Sequence, residues 1–458
     1  TIKLTEAPII NGDRNIVLLF NDKMDDTSAA SMNVYPTNDP NWRKSVIGIY
    51  QGEIDARARI GNNDATKVVE NNIGIYSRSG QRGEETINGQ VAKFNTKTDL
   101  GAAGSSINYE HDPIHSLQIN NIDITFGKNS KNGVMIASER GTVIDVAMPG
   151  NLHSTVVKDN SGNAISGKTD TTTVPIMTTP IKDYEGTSPL TASYDDTANE
   201  VATGTVIAYA SGEWKNTDHR MTSSEVQRFE GKGSQINIGQ DVVMSARYKD
   251  YTPVGATTKV ESFPVAYVAK DKGEITAEKT TDAKGFGSII AYADTNSKIT
   301  LKDKATAIDE WAASDAATQP YLYKNIGGYA KAGSTITFEK DVKIHGMAGY
   351  ADGANSLVEF KGTGNLVESA KDGGLVAQNG GKIQFGGGDI KTEKRNPNDN
   401  YSGVVPFLAD ASSNINFKGA TEISISDGIL MPGTATDYAA EDSSDPANAI
   451  ATAGKKYT

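Results

Sequence analysis

Three groups of side chains have the types and spacing that could do chemistry. His111, Asp112 and His115, in the run HDPIH, put two imidazoles and a carboxylate close together, a donor set that suits zinc or copper. No partner motif accompanies them and the chain holds 5 His in all, so a solvated loop is the simpler reading. Asp183, Glu185, Asp195 and Asp196 lie in IKDYEGTSPLTASYDDTANE, residues 181–200. Their oxygens suit calcium or another cation. The loop spacings of the EF-hand and of the glycine-rich calcium repeat are both missing, and a solvated acidic face again suffices. No metal and no cofactor are expected.

The third group is aromatic. The chain has 18 Tyr against 3 Trp. A phenol offers large contact area at low entropic cost, together with a hydroxyl for a protein or a sugar. Tyr184, Tyr194, Tyr321, Tyr323 and Tyr401, with Trp311, fall in polar inserted segments, as do Tyr109 and Trp214. With Asp183, Glu185, Asp195 and Asp196, the first six form the candidate ligand-binding set. Enzymatic chemistry is harder to support. Glycoside hydrolysis needs paired carboxylates at set separations, whereas here Asp and Glu are dispersed over turns. There is no Gly-x-Ser-x-Gly elbow and no phosphate-binding loop. No catalytic residue is assigned, and the chain is read as a non-enzyme.

The elements that must hold these residues come from a repeat. A large apolar residue, an Ala, a short polar turn and an alternating strand recur as YADTNSKITL, YAKAGSTITF, YADGANSLVEF, VAQNGGKIQF and LADASSNINF. The repeated Ala falls at Ala210, Ala269, Ala293, Ala330, Ala351, Ala377 and Ala409, with a fainter copy at Ala137. Each unit holds about three short strands in roughly 20–30 residues, the size of one coil of a solenoid. The fold expected is all-β: a right-handed parallel β-helix with inserted loops and short helices. A sandwich or jelly-roll array is the competing architecture, because short strands with regular turns suit it too. The Ala is expected at a corner facing the packed interior. Tyr209, Tyr292, Tyr329 and Tyr350, just before it, are expected to stack in the core.

Residues 1–458 read as one β-helical unit interrupted near 99–118, 151–203, 213–233, 303–325 and 391–403, with a polar end segment at 431–458. Helical turns are expected at 303–325 and 213–233. Hydrophobic content is 37%, which suits a thin elongated core. No apolar run is long enough to cross a membrane as a helix. Net charge is −12, from 45 basic and 57 acidic residues; the basic residues are scattered, which disfavours nucleic acid as a partner. The chain has no Cys. That suits a protein threaded unfolded through a pore after crossing an oxidising compartment, where a disulfide would block passage.

NNIGIYSRSG, AYADTNSKITL, GYAKAGSTITF and LADASSNINFKG resemble the passenger repeats of type V autotransporters, and among them the very long fusobacterial outer-membrane adhesins. The resemblance covers roughly residues 45–430. It implies a β-helical passenger displayed on the cell surface, attached to the outer membrane through a C-terminal β-barrel. It also implies adhesion, by coaggregation or host-cell binding, to a surface protein or glycan of other bacteria or host cells. The start TIKLTEAPIINGD lacks a signal-peptide pattern and the end GKKYT lacks the aromatic last residue of such a barrel, so a passenger segment of a longer chain is expected. No residue-level binding motif is carried over. A polysaccharide-active enzyme or sugar-binding module, and a plain spacer, are the alternatives.

Overall fold

In KITL, TITF, LVEF, KIQF and NINF every second residue is apolar, so one side of each extended strand is greasy and the other polar. Four residues cannot bury such a side alone; stacking copies can. The computed structural model describes residues 2–3, 8–22, 54–60, 67, 69–79, 83–87, 90–94, 107–109, 115–119, 121–126, 130–147, 155–159, 164–170, 190–192, 206–213, 233–245, 264–284, 287–308, 325–369, 373–392 and 406–425. It is a parallel β-helix with three faces. In one coil, Ile289–Asp294 lies on the first face, Lys298–Leu301 on the second and Ala305–Ile308 on the third. Each pairs in parallel with its counterparts one coil away.

Along the first face, strands run from Ile16–Asp22 through Ile73–Ser79, Val134–Glu139, Val206–Ser211 and Val265–Lys270 to Phe407–Ala409. The second face runs from His115–Ile119 to Asn414–Phe417 and the third from Leu190–Ala192 to Thr421–Ile425. Val342–Asp352 serves two faces. Its Lys343–His345 part pairs on the third with Leu366, Val367 and Glu368, and its Gly349–Asp352 part on the first with Leu375–Gln378. Coils there follow with no insertion, which is why Ala330 and Ala351 stand so close in sequence.

The repeated Ala sets the register. Ala210, Ala269, Ala293, Ala330, Ala351, Ala377 and Ala409 form one continuous column. All but Ala409 are fully buried. Their small size answers the large residues of the second face, Ile336 and Phe338, Val358 and Phe360, Ile383 and Phe385, which fill the interior. The phenylalanines form their own ladder, with ring centroids 5.0 Å apart for Phe338–Phe360, 5.7 Å for Phe360–Phe385 and 6.0 Å for Phe385–Phe417. Two residues before Ala351, Gly349 faces this ladder closely: a Cβ there would lie 3.0 Å from the Phe360 ring. Among the described residues Tyr267 is the one tyrosine wholly inside. Its neighbours in register at that site are Ala208 and Ala291, and its hydroxyl is 2.7 Å from that of Thr281.

Corners repeat as regularly as strands. Between the first and second faces the chain turns through residues of positive φ: Asp271 and Lys272, Thr295 and Asn296, Ala332 and Gly333, Asn379 and Gly380. A buried Ser follows in several coils. Ser356 Oγ donates to the Asp352 carbonyl of its own coil (2.7 Å) and accepts from the Gly333 N–H of the preceding one (3.0 Å). Ser234 and Ser413 accept in the same way from Gly141 and Gly380. Near the other corners Asn325 and Asn365 span coils: Asn365 Oδ1 accepts from Val342 N–H at 3.1 Å and its Nδ2 donates to Gly387 O at 2.8 Å. Each such bond satisfies a backbone group that the bend takes out of the ladder.

Two expectations change. The tyrosine before each Ala is not in the core: neighbours on a strand face opposite ways, so the inward Ala turns Tyr209, Tyr292, Tyr329 and Tyr350 outward, where they are half-buried. The faint copy at 136–137 is one residue out, because Ser138, not Ala137, pairs with Ala210. No helix occurs among the described residues; the segments expected to hold helical turns lie in 214–232 and 309–324, outside them. Strands also lie within spans read as insertions. Thr155–Asp159 pairs antiparallel with Ala164–Asp170 and Ile107–Tyr109. His115–Ile119, Leu190–Ala192 and Ala305–Ile308 belong to the helix itself.

Candidate functional site

The candidate ligand-binding set, Asp183, Tyr184, Glu185, Tyr194, Asp195, Asp196, Trp311, Tyr321, Tyr323 and Tyr401, lies outside the described residues, as do His111 and Asp112. Chain connectivity still says where these segments join the ladder. Residues 246–263, 309–324 and 393–405 each connect a third-face strand to a first-face strand. Trp311, Tyr321, Tyr323 and Tyr401 belong in sequence to two of these connections. The 181–200 segment contains Leu190–Ala192 of the third face.

That first face carries an outward stripe built on the tyrosines expected in the core. Tyr209, Val268, Tyr292, Tyr329, Tyr350, Val376 and Leu408 occupy one column, coil above coil. Tyr292 and Tyr329 meet edge-to-face with centroids 5.2 Å apart, and Tyr329 and Tyr350 lie tilted at 4.5 Å. Val206, Val265, Ile289 and Ile326 pack beside them. The signal was available in the sequence: the repeat places Tyr next to a residue that must face inward.

Two residues further along each strand stands a polar column: Lys270, Asp294, Lys331, Asp352 and Gln378. It engages the stripe from the side. Lys270 Nζ lies 5.6 Å from the Tyr292 ring centroid, a cation–π contact. Tyr292 Oη donates to Asp294 Oδ2 at 3.1 Å, and Gln378 Nε2 donates to Tyr350 Oη. Asp352 accepts from Asn379 Nδ2 at 2.7 Å. Lower on the same face, Tyr76 donates to Glu139, under Arg78 at 5.8 Å.

These surroundings keep the phenols neutral. Burial, then Tyr350 and the carboxylates of Asp352 and Asp294, push Tyr329 up to about 12. Burial is also the first cause at Tyr292, with Asp294 second, and at Tyr350, with Asp352 second; both are raised. Asp410, at the same corner two coils above Asp352, is desolvated, yet bonds from Asn379 N–H and from Ser412 and Ser413 hold its carboxyl below the usual range.

Other polar groups support structure more simply than chemistry. Among the described residues no set of three or more His, Asp or Glu could hold a metal ion. Asp389 and Glu422 face each other on adjacent coils of the third face, but Asp389 is partly exposed, Glu422 is exposed, and Lys391 lies 4.0 Å from Asp389. His345 and Glu368 pair at 3.0 Å on the same face.

No protein-family model, curated protein or solved structure matches the chain.

Proposed function

We propose that this chain is a passenger segment of a surface-displayed bacterial adhesin of the autotransporter kind. The reading makes it a stiff rod that mediates coaggregation or host-cell binding by contacting a surface protein or glycan. In it the rod continues to an outer-membrane β-barrel, and the segment itself does no chemistry. The observation that carries the proposal is the arrangement of the first face. A half-exposed tyrosine stripe runs along the rod, on the face whose strands follow three inserted segments in the chain, two of which bear Trp311, Tyr321, Tyr323 and Tyr401. A rod built from local contacts between coils keeps its shape whatever its insertions do, and recognition concentrates where loops meet a rigid scaffold. The absence of Cys and the net charge of −12 fit an exported chain.

The test is binding of the purified chain to whole bacteria and host cells, compared with loop variants. Removing 181–200 outright would also remove the third-face strand Leu190–Ala192. The better variant replaces Asp183, Tyr184, Glu185, Tyr194, Asp195 and Asp196 together and leaves that strand. Others replace Trp311, Tyr321 and Tyr323, or Tyr401. Loss of binding with an unchanged melting temperature places the contact in that loop. Absence of binding by the parent chain refutes the adhesive reading and leaves a spacer.

A further inference from the structure

Two columns of alternating charge run up this β-helix, and they are used differently. At the corner between the second and third faces, Glu278, Lys302, Glu339 and Lys361 follow one another coil by coil. There the alternation is consumed within the chain: Lys302 Nζ lies 2.6 Å from Glu278 and Lys361 Nζ 2.8 Å from Glu339. Beside the tyrosine stripe, Lys270, Asp294, Lys331 and Asp352 alternate in the same way, yet none forms an ion pair with another described residue. Lys270 lies over an aromatic ring, Asp294 takes a phenol hydroxyl, Asp352 takes an amide, and Lys331 is exposed. The charges of this second column are thus not cancelled against one another.

The order plus, minus, plus, minus over four successive coils is self-complementary when reversed. We propose that the first face is a self-association surface, on which a second copy of this chain docks antiparallel. A two-fold axis lies in the interface along the strand direction, midway between the coils of Tyr292 and Tyr329. It sets Asp294 against Lys331 of the other copy, Lys270 against its Asp352, and the tyrosine columns against each other. Such an axis gives the isologous contact usual in homo-oligomers. A two-fold parallel to the rod reverses the strand direction, so it could bring the charge columns together only like against like; the pattern selects the antiparallel arrangement. Four coils at about 4.8 Å per step make a small patch, well below the roughly 800 Å² per partner of a stable complex. The contact is therefore weak singly and effective when many copies are arrayed on facing surfaces. The inference stands on this geometry and does not depend on the adhesive reading above.

The test is clumping of beads that carry the full chain at high density, at low and high salt. Wild-type beads are expected to clump, less so as salt screens the column. Asp294→Lys and Lys331→Asp each turn a facing pair into a repulsion, so beads of either variant alone are expected to stay dispersed. Mixed together they are expected to clump again, because Lys at 294 on one then faces Asp at 331 on the other. Melting temperatures near wild type exclude misfolding as the cause. Wild-type beads that never clump, variant beads that clump as well as wild type, or a mixture that stays dispersed would each overturn the proposal.

Discussion

At the scale of single residues the column of alanines is the most demanding feature. Ala351 has no exposed surface and lies in register with Ala330 and Ala377. Ala351→Glu would force a charge into an apolar interior with no partner, and we expect a loss of roughly 3–5 kcal/mol. Thermal unfolding checks it, and an unchanged melting temperature would remove Ala351 from the core. Phe360→Ala opens a hole between Phe338 and Phe385 and is expected to cost about 3–5 kcal/mol in the same assay. The stripe tyrosines make a pH prediction. Burial and the neighbouring carboxylates push Tyr329 up to about 12 in the folded state, above the ordinary phenol value of about 10. The unfolded chain therefore gives up that proton first, and stability from this group, complete below pH 10, falls as pH rises toward 12. Absorbance at alkaline pH should show stripe phenols titrating late, and Tyr329→Phe should lessen the alkaline loss.

At the scale of elements, strands and corners have different guarantors. Strands are held by alternation, which needs only that every second residue be apolar. Corners are held by particular side chains. Ser356 bonds one coil to the preceding one through Gly333 while fixing its own turn through Asp352. Ser356→Ala removes an acceptor and a donor from a buried corner, and a cost of about 1–3 kcal/mol is expected in urea unfolding. The alternation was plain in the sequence. The corner serines were visible as letters, but the bonds between coils were not, because Gly333 and Ser356 meet only once the ladder is stacked. Likewise Leu190–Ala192 was hidden inside a polar stretch. Three residues carry too little pattern to be read alone, and only the neighbour Val242–Met244 makes them a strand.

At the scale of the molecule, each coil touches only its neighbours, so stability is expected to vary along the rod. In the coil Phe407–Ile425 the counterparts of fully buried residues are partly exposed: Ile415, Phe417 and Ile423 stand where Ile383, Phe385 and Ile390 are buried one coil earlier. Amide exchange should therefore be faster in Asn414–Phe417 than in Lys382–Phe385. Equal protection would show that the rod opens as one unit.

The sequence by itself determined the architecture. A repeated small residue, turn and alternating strand can bury their apolar sides only by stacking, and the alanine register read from the letters is the register of the ladder. It also determined that Tyr precedes Ala at most of these positions. The direction of those tyrosines was settled by tertiary structure: beside the bulk of Ile336, Phe338, Val358 and Phe360, the first face turns Gly328, Ala330, Gly349 and Ala351 inward, and Tyr329 and Tyr350 face out. Side chains 21 to 37 residues apart in sequence then become neighbours 4.5 to 5.2 Å apart on the surface. A stripe made of residues from separate coils exists only after stacking, which is why the letters show the tyrosines of the repeat but not the surface they form.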